Sequence, residues 1–219
     1  MTVLPLTPDE LLTTTRSVRK RLDLTRPVPM DLITECLQIA LQAPSGSNQQ
    51  GWHWIVITDQ DTRAAIGELY RRSTERYLAA KARAASGPGA PPPDSPEART
   101  MQRIRESSGY LGEHMGDVPV LVLACIEANP PWEAGSNQAG LWGSLLPAAW
   151  SYMLAARARE LGTAWTTLHL AYEKEAAEIL GLPGHVRQGV LIPTAYYTGE
   201  TFRPAPRRPV QEVMHINRW

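Results

Sequence analysis

Phenylalanine is all but missing from this sequence: Phe202 stands alone against seven tryptophans and seven tyrosines. Trp and Tyr carry a polar handle on an apolar body, which suits ligand walls and subunit interfaces as well as cores. Cysteine is nearly as scarce. Cys36 lies in an apolar helical pattern and Cys125 in an apolar strand-like run, which predicts buried, reduced thiols and a reducing compartment. Two cysteines are too few for a thiolate zinc site, and no His-Glu-x-x-His occurs, so no metal is expected. Net charge is absent as well, because 22 Lys and Arg balance 22 Asp and Glu. That argues against a partner bound by neutralising nucleic-acid phosphates, yet leaves room for one local anion site. No apolar run reaches the roughly 20 residues that span a bilayer, so no membrane partner is expected. Met1–Arg16 shows no basic start followed by an apolar stretch, so no signal peptide and a cytoplasmic location are expected. Gly-x-Gly-x-x-Gly, the P-loop pattern and the Gly-x-Ser-x-Gly elbow are all missing, which leaves the common nucleotide folds and the hydrolase triad without support.

What is present reads as one domain over 1–219, with 43% apolar and 20% charged residues. Nineteen prolines and sixteen glycines imply much loop. Five prolines mark residues 86–96 as an excursion, and residues 201–219 form an extended tail rich in Pro and Arg. Thr7-Pro8-Asp9 opens a first helix that runs toward Thr15–Arg21. Apolar spacing predicts a second helix over Met30–Gln42 and a third over Thr62–Ala85. Trp52–Thr58 reads as a strand. A further helix covers Glu97–His114, and Val118–Ile126 is apolar enough to be a strand covered on both faces. Leu145–Leu161 reads as a core helix ended by Gly162, Ala164–His169 as a short strand, Glu173–Leu180 as a helix closed by Gly181, and Gly189–Tyr197 as a last strand. The sum is α+β, a small central sheet between helices.

Three places could carry chemistry. Arg16 and Arg19 stand three apart, on one face of the expected helix, with Ser17 between them; guanidinium forks suit phosphate oxygens, although a solvated basic face has the same pattern. Pro44–Gln50 is a run of Ser, Gly, Asn and Gln, where glycine admits close approach and amides read the edge of a planar ring. A plain surface loop has that composition too, but Trp52 and Trp54 follow directly. Arg203, Arg207 and Arg208 lie in the tail, where a basic surface is the bland reading.

The order of these pieces resembles the flavin-dependent nitroreductase family. The resemblance starts at Thr15-Arg16-Ser17-Val18-Arg19 and continues at Ala43-Pro44-Ser45-Gly46-Ser47-Asn48-Gln49-Gln50-Gly51-Trp52, against the family's A-P-S-x-x-N-x-Q-P-W. It recurs at Leu161-Gly162-Thr163 and closes with Arg208-Pro209-Val210-Gln211-Glu212-Val213. Gly51 replaces the usual proline and Thr15 stands where many members carry another arginine. The resemblance implies a three-layer α-β-α sandwich with a mainly antiparallel sheet, and a homodimer with FMN at the subunit interface. Arg16, Ser17, Arg19 and Arg208 would hold the phosphate, the ribityl chain and the N1/O2 edge. Pro44, Ser45, Gly46, Asn48 and Gln50 would cover the ring from the other subunit, with Thr166, Thr167 and Leu168 near its central edge. The tail would embrace the partner. NADH or NADPH would deliver hydride, and a nitroaromatic, quinone or similar small acceptor would be reduced in a ping-pong cycle, with no catalytic side chain required. Tyr110, Trp142 and His169 are candidates for the acceptor pocket, although packing explains each of them as well. Natural-product dehydrogenation, reductive dehalogenation, FMN sequestration and a non-flavin interaction domain are the alternatives.

Overall fold

A computed structural model describes residues 3–85, 91–92, 94–128, 137–200 and 202–219. Among these residues six helices surround four strands: α1 Pro8–Thr14, α2 Met30–Ala40, β1 Trp52–Ile57, α3 Gln60–Ala85, α4 Pro96–His114, β2 Val120–Glu127, α5 Gln138–Ala158, β3 Leu161–Thr163, α6 Glu173–Leu180 and β4 Val186–Tyr196. The sheet order is β1-β2-β4-β3, antiparallel throughout, so β1 and β3 are the two edges.

Strand alternation divides the core in two. Val120, Val122, Ala124 and Ile126 of β2 pack with α2 and α5, while Leu121, Leu123 and Cys125 pack with α3, α4 and α6. The register shifts at Ala124/Cys125, where β4 carries Gly189 as an extra, unpaired residue. Both faces are covered, which explains the continuous apolar run of β2. Each fully buried Leu or Ile here contributes about 2 kcal/mol. The expected α+β sandwich is the observed fold.

The first departure matters for the site. α1 ends at Thr14, and residues 16–22 are not helical. The hydroxyls of Thr13, Thr14 and Thr15 donate to carbonyls four residues back, which weakens a helix at its end. Ser17 instead bridges Thr163 in parallel, the Val18 amide donates to the Thr163 carbonyl at 2.8 Å, and Leu22 bridges Tyr197. The segment runs along the β3 edge, so Arg16 and Arg19 do not share a helix face. Gly162 is what admits it: a Cβ there would sit 3.1 Å from Val18.

Gly162 therefore lies in β3 and is not a helix cap. α5 ends earlier, with Arg159 as its cap and Glu160 in the left-handed region at φ 63°. It also starts seven residues before the expected point, where the Asn137 side chain accepts from the Gly140 amide at 3.0 Å. Ala164–His169 is not a strand; Thr166 makes one bridge to Leu191, and a short 3-10 turn follows over Leu168–Tyr172. α6 closes at Gly181 with φ 63°, as expected. Most of the excursion, 86–90 and 93, lies outside the described residues, as does 129–136.

Candidate functional site

Two concave regions flank the sheet at opposite edges. The first, a cavity of 460 Å³, lies beside β3. Arg16, Ser17, Arg19, Lys20 and Arg21 line it from the edge segment, Ser107 from α4, and Phe202 to Pro206 from the tail. Five side chains at this surface are cationic, and no Asp or Glu is among its lining residues. Lys20 pairs with Glu106 at 3.6 Å. Burial lowers the pKa of Arg19, opposed by Tyr70 and Tyr77, but a guanidinium stays charged. An unbalanced set of cations in a partly desolvated hollow is a fit for a phosphate ester.

Thr166, Thr167 and Leu168 are not among the residues that line this cavity. The Thr166 hydroxyl donates to the Leu191 carbonyl at 2.6 Å, and the Leu168 carbonyl accepts from Ser73 at 2.6 Å. Tyr70 links the two parts. Burial raises its pKa, while the charge of Arg19 and hydrogen bonds with Thr166 and Thr74 oppose that rise. Thr167 is exposed and stands just before the 3-10 turn.

The second cavity, of 590 Å³, lies at the β1 edge between the 46–51 loop, Glu127 and the start of α5. The loop is locally strained, since Ser47, Asn48 and Gln50 have φ of 50°, 54° and 52°. Its own polar groups hold it: Ser45 Oγ accepts from the Gln50 amide at 3.1 Å, and Asn48 Oδ1 accepts from Gln50 Nε2 at 3.1 Å. The Gly46 amide donates to Ser144 Oγ at 2.9 Å. Pro44 is exposed at its entrance. His53 and Glu127 pair at the rim at 3.1 Å. Such a surface offers backbone and amide groups to a flat polar ring.

Three interstrand steps, roughly 14 Å, separate the two sheet edges. Arg16, Ser17 and Arg19 thus come together, as do Gly46 and Gln50, but the two sets do not meet within one chain. Arg208 is exposed in the tail and does not line the cationic cavity; Arg203 does. Trp142 donates its indole N–H to Gln138 at 3.1 Å and packs against the α2/α5 core. Tyr110 packs against His114, with ring centres 4.4 Å apart and the rings tilted by 42°. His169 is 1% exposed, neither ring nitrogen has a partner among the described residues, and burial pushes its pKa down to about 4. Those three side chains pack rather than face either cavity. Sequence reasoning passed over Lys20, Arg21 and Ser144, and of the three tail arginines it chose Arg208 for the site where Arg203 lines the cavity.

Among the described residues no group of His, Cys, Asp and Glu could hold a metal ion, and no helix is long and apolar enough to cross a membrane. Iodotyrosine deiodinase 1 of Rattus norvegicus is 24% identical over 208 residues, 94% of this chain, and its Homo sapiens counterpart is 23% identical over the same length. The chain spans about two thirds of these relatives, 67% and 66%. A crystal structure of oxidized iodotyrosine deiodinase bound to FMN and 3-iodo-L-tyrosine superposes with a TM-score of 0.69 at 20% identity, covering 96% of this chain and 98% of that one. The FMN and NADPH-dependent nitroreductase NfnB from Sphigopyxis sp. strain HMH gives 0.65 at 19% identity, covering 98% and 100%. The model of the nitroreductase family matches residues 12–196, and it is to this family that the chain belongs.

Proposed function

We propose that the protein is an FMN-dependent oxidoreductase, taking hydride from NADH or NADPH and reducing a small organic acceptor such as a nitroaromatic or a quinone. One observation supports this reading: a cationic hollow free of lining carboxylates and a strained amide-rich loop lie on opposite sheet edges, as two halves of a site shared between copies would. Two copies in antiparallel embrace would bring one chain's Arg16, Ser17 and Arg19 to the other's Pro44–Gln50 loop. The exposed apolar residues of the tail (Val210, Val213, Met214, Ile216 and Trp219) support such an embrace.

Bound FMN would supply the electron chemistry, carrying two electrons from the nicotinamide to the acceptor. The chain's residues bind and orient. Arg16 and Arg203 neutralise the phosphate. Arg19, a guanidinium that stays charged despite its burial, would stabilise negative charge on the bound flavin. Thr166 and Leu168, fixed by β4 and Ser73, would present the backbone around Thr167 to the bound flavin. The 46–51 loop excludes water from one face.

Anaerobic addition of NADH or NADPH to the FMN-loaded protein tests this. Bleaching of the flavin band within seconds, and its return on adding a nitroaromatic or quinone, is expected. A flavin that stays oxidised with both donors contradicts the reading and leaves FMN sequestration. Reductive dehalogenation is a second reading, motivated by the deiodinase relatives; release of halide from a halogenated phenol by the reduced protein decides for it.

A further inference from the structure

A third hollow, of 260 Å³, shares no lining residue with either half-site. It lies where α5 ends and β4 runs out, and Leu4, Arg26, Glu160, Tyr196 and Glu200 are in its wall. One guanidinium and two carboxylates therefore border the same small space. None of the three makes an ion pair or a side-chain hydrogen bond with another described residue.

Opposite charges on flexible stems around one hollow ordinarily close on each other. Here the fold keeps them apart. The Arg26 guanidinium lies 3.4 Å from the centre of the Tyr196 ring, and the Arg26 amide donates to Asp23 Oδ1 at 3.2 Å. Glu160 leaves α5 with a φ of 63°. The Leu4 amide donates to the Ala158 carbonyl at 2.8 Å and so lays the N-terminal segment over that helix end. Glu200 follows Gly199, whose φ of 78° turns the chain. The negative end of the α5 dipole adds to the carboxylate of Glu160 beside it. Groups of both signs, held apart around one space, are preorganised for a ligand that carries both signs.

We propose that this hollow binds a small ammonium carboxylate, such as a free amino acid. The inference goes beyond the oxidoreductase reading and does not depend on it. The Arg26 fork takes the carboxylate, and Glu160 and Glu200 share the ammonium, which has three N–H donors. Leu4 and the edge of Tyr196 receive an apolar side chain. A simple anion would satisfy Arg26 and meet two carboxylates; a simple cation would do the reverse. A neutral molecule would leave all three charges unpaired.

The test is a calorimetric titration of the full chain with L-leucine, L-leucinamide and N-acetyl-L-leucine. The amide lacks the carboxylate and the acetyl derivative lacks the ammonium. L-Leucine is expected to saturate at one per chain and to bind about tenfold tighter than either derivative, since each has lost a charge-assisted contact. Arg26→Gln should bind leucine and leucinamide alike, and Glu160→Gln/Glu200→Gln should bind leucine and N-acetyl-leucine alike. The three side chains belong to exposed residues, so the variants should fold; Lys174→Gln, an exposed cation outside the hollow, should keep the wild-type preference. The three ligands on wild type decide the matter without any variant. No saturable binding of leucine, as when a second copy covers the hollow, overturns the proposal. So does equal binding of the three ligands, or an unchanged preference in both variants. Displacement of leucine by FMN would put it in the cationic cavity and overturns the proposal too. Failure to take up FMN would sink the oxidoreductase reading and leave this test intact.

Discussion

The guanidinium of Arg157 lies 4.3 Å from the centre of the Phe202 ring. Arg21 approaches the same ring at 4.5 Å, and Tyr197 meets it edge-on at 4.8 Å. Arg157 is 6% exposed, has no carboxylate partner among the described residues, and donates to the Tyr197 hydroxyl at 2.7 Å. A buried cation is thus matched by π faces and a phenol. The cluster ties the end of α5 to the root of the tail, and Arg203, the next residue, enters the cationic cavity. Phe202→Ala should cost about 2 kcal/mol, given a half-buried ring with two cation contacts. In a thermal melt that appears as a fall of roughly 6 °C for a chain of this size.

The same cluster makes a prediction about binding. Arg203→Ala and Arg16→Ala should each weaken FMN about tenfold or more, because each removes a charge-assisted contact to a phosphate. Riboflavin, which lacks the phosphate, should be bound equally by wild type and variants. Fluorescence titrations with both flavins check this. Equal losses for the two ligands would mean that the arginines act on the ring or on the fold.

How much of this was legible in the sequence follows from the range of each interaction. Helical spacing in Met30–Gln42 and the apolar run of β2 report local burial, so α2 and β2 were readable, as was Gly181 as a helix end. The Pro44–Gln50 loop was recognisable by its composition and position, and its left-handed residues follow from that polar run. Arg16 to Arg19 were assigned the wrong conformation, because their partner is Thr163, some 145 residues on, and no local period encodes that pairing. Gly162 looked like a helix cap for the same reason: its role is to admit Val18. Arg203 could not be told from Arg207 and Arg208, because the Phe202 cluster beside it draws on Arg21, Arg157 and Tyr197 from distant points of the chain.

Ser144 couples the 46–51 loop to α5. Its hydroxyl accepts from the Gly46 amide at 2.9 Å and donates to the Gly140 carbonyl at 2.8 Å. Ser144→Ala leaves the Gly46 amide without that acceptor and should cost about 1 kcal/mol. Hydrogen exchange at Gly46 to Gln50 should accelerate severalfold, with β2 unaffected. Unchanged exchange in the loop would show that the local bonds of Ser45 and Asn48 suffice.

His169 sets the acid side of the stability curve. Its pKa is pushed down to about 4 in the fold, mainly by burial and against the opposing charge of Glu173, from an ordinary value of 6.5. Between those values the unfolded chain binds the extra proton, so stability is full above pH 6.5 and falls as pH drops toward 4, by on the order of 3 kcal/mol. The carboxylates with lowered pKa values, such as Asp23 and Asp59, lose their contribution only below about pH 4. Urea denaturation at pH 5.0 and 7.0 should show the loss in wild type and its absence in His169→Gln.

The most direct measurement is a titration of FMN into the flavin-free protein, followed by flavin fluorescence and read together with the mass in solution by light scattering. Saturation at one FMN per chain on a particle of two chains is the predicted result, since each site needs the Arg16–Arg19 edge of one copy and the Pro44–Gln50 loop of another. A protein that leaves FMN fluorescence unchanged, or that binds it as a monomer, contradicts the account.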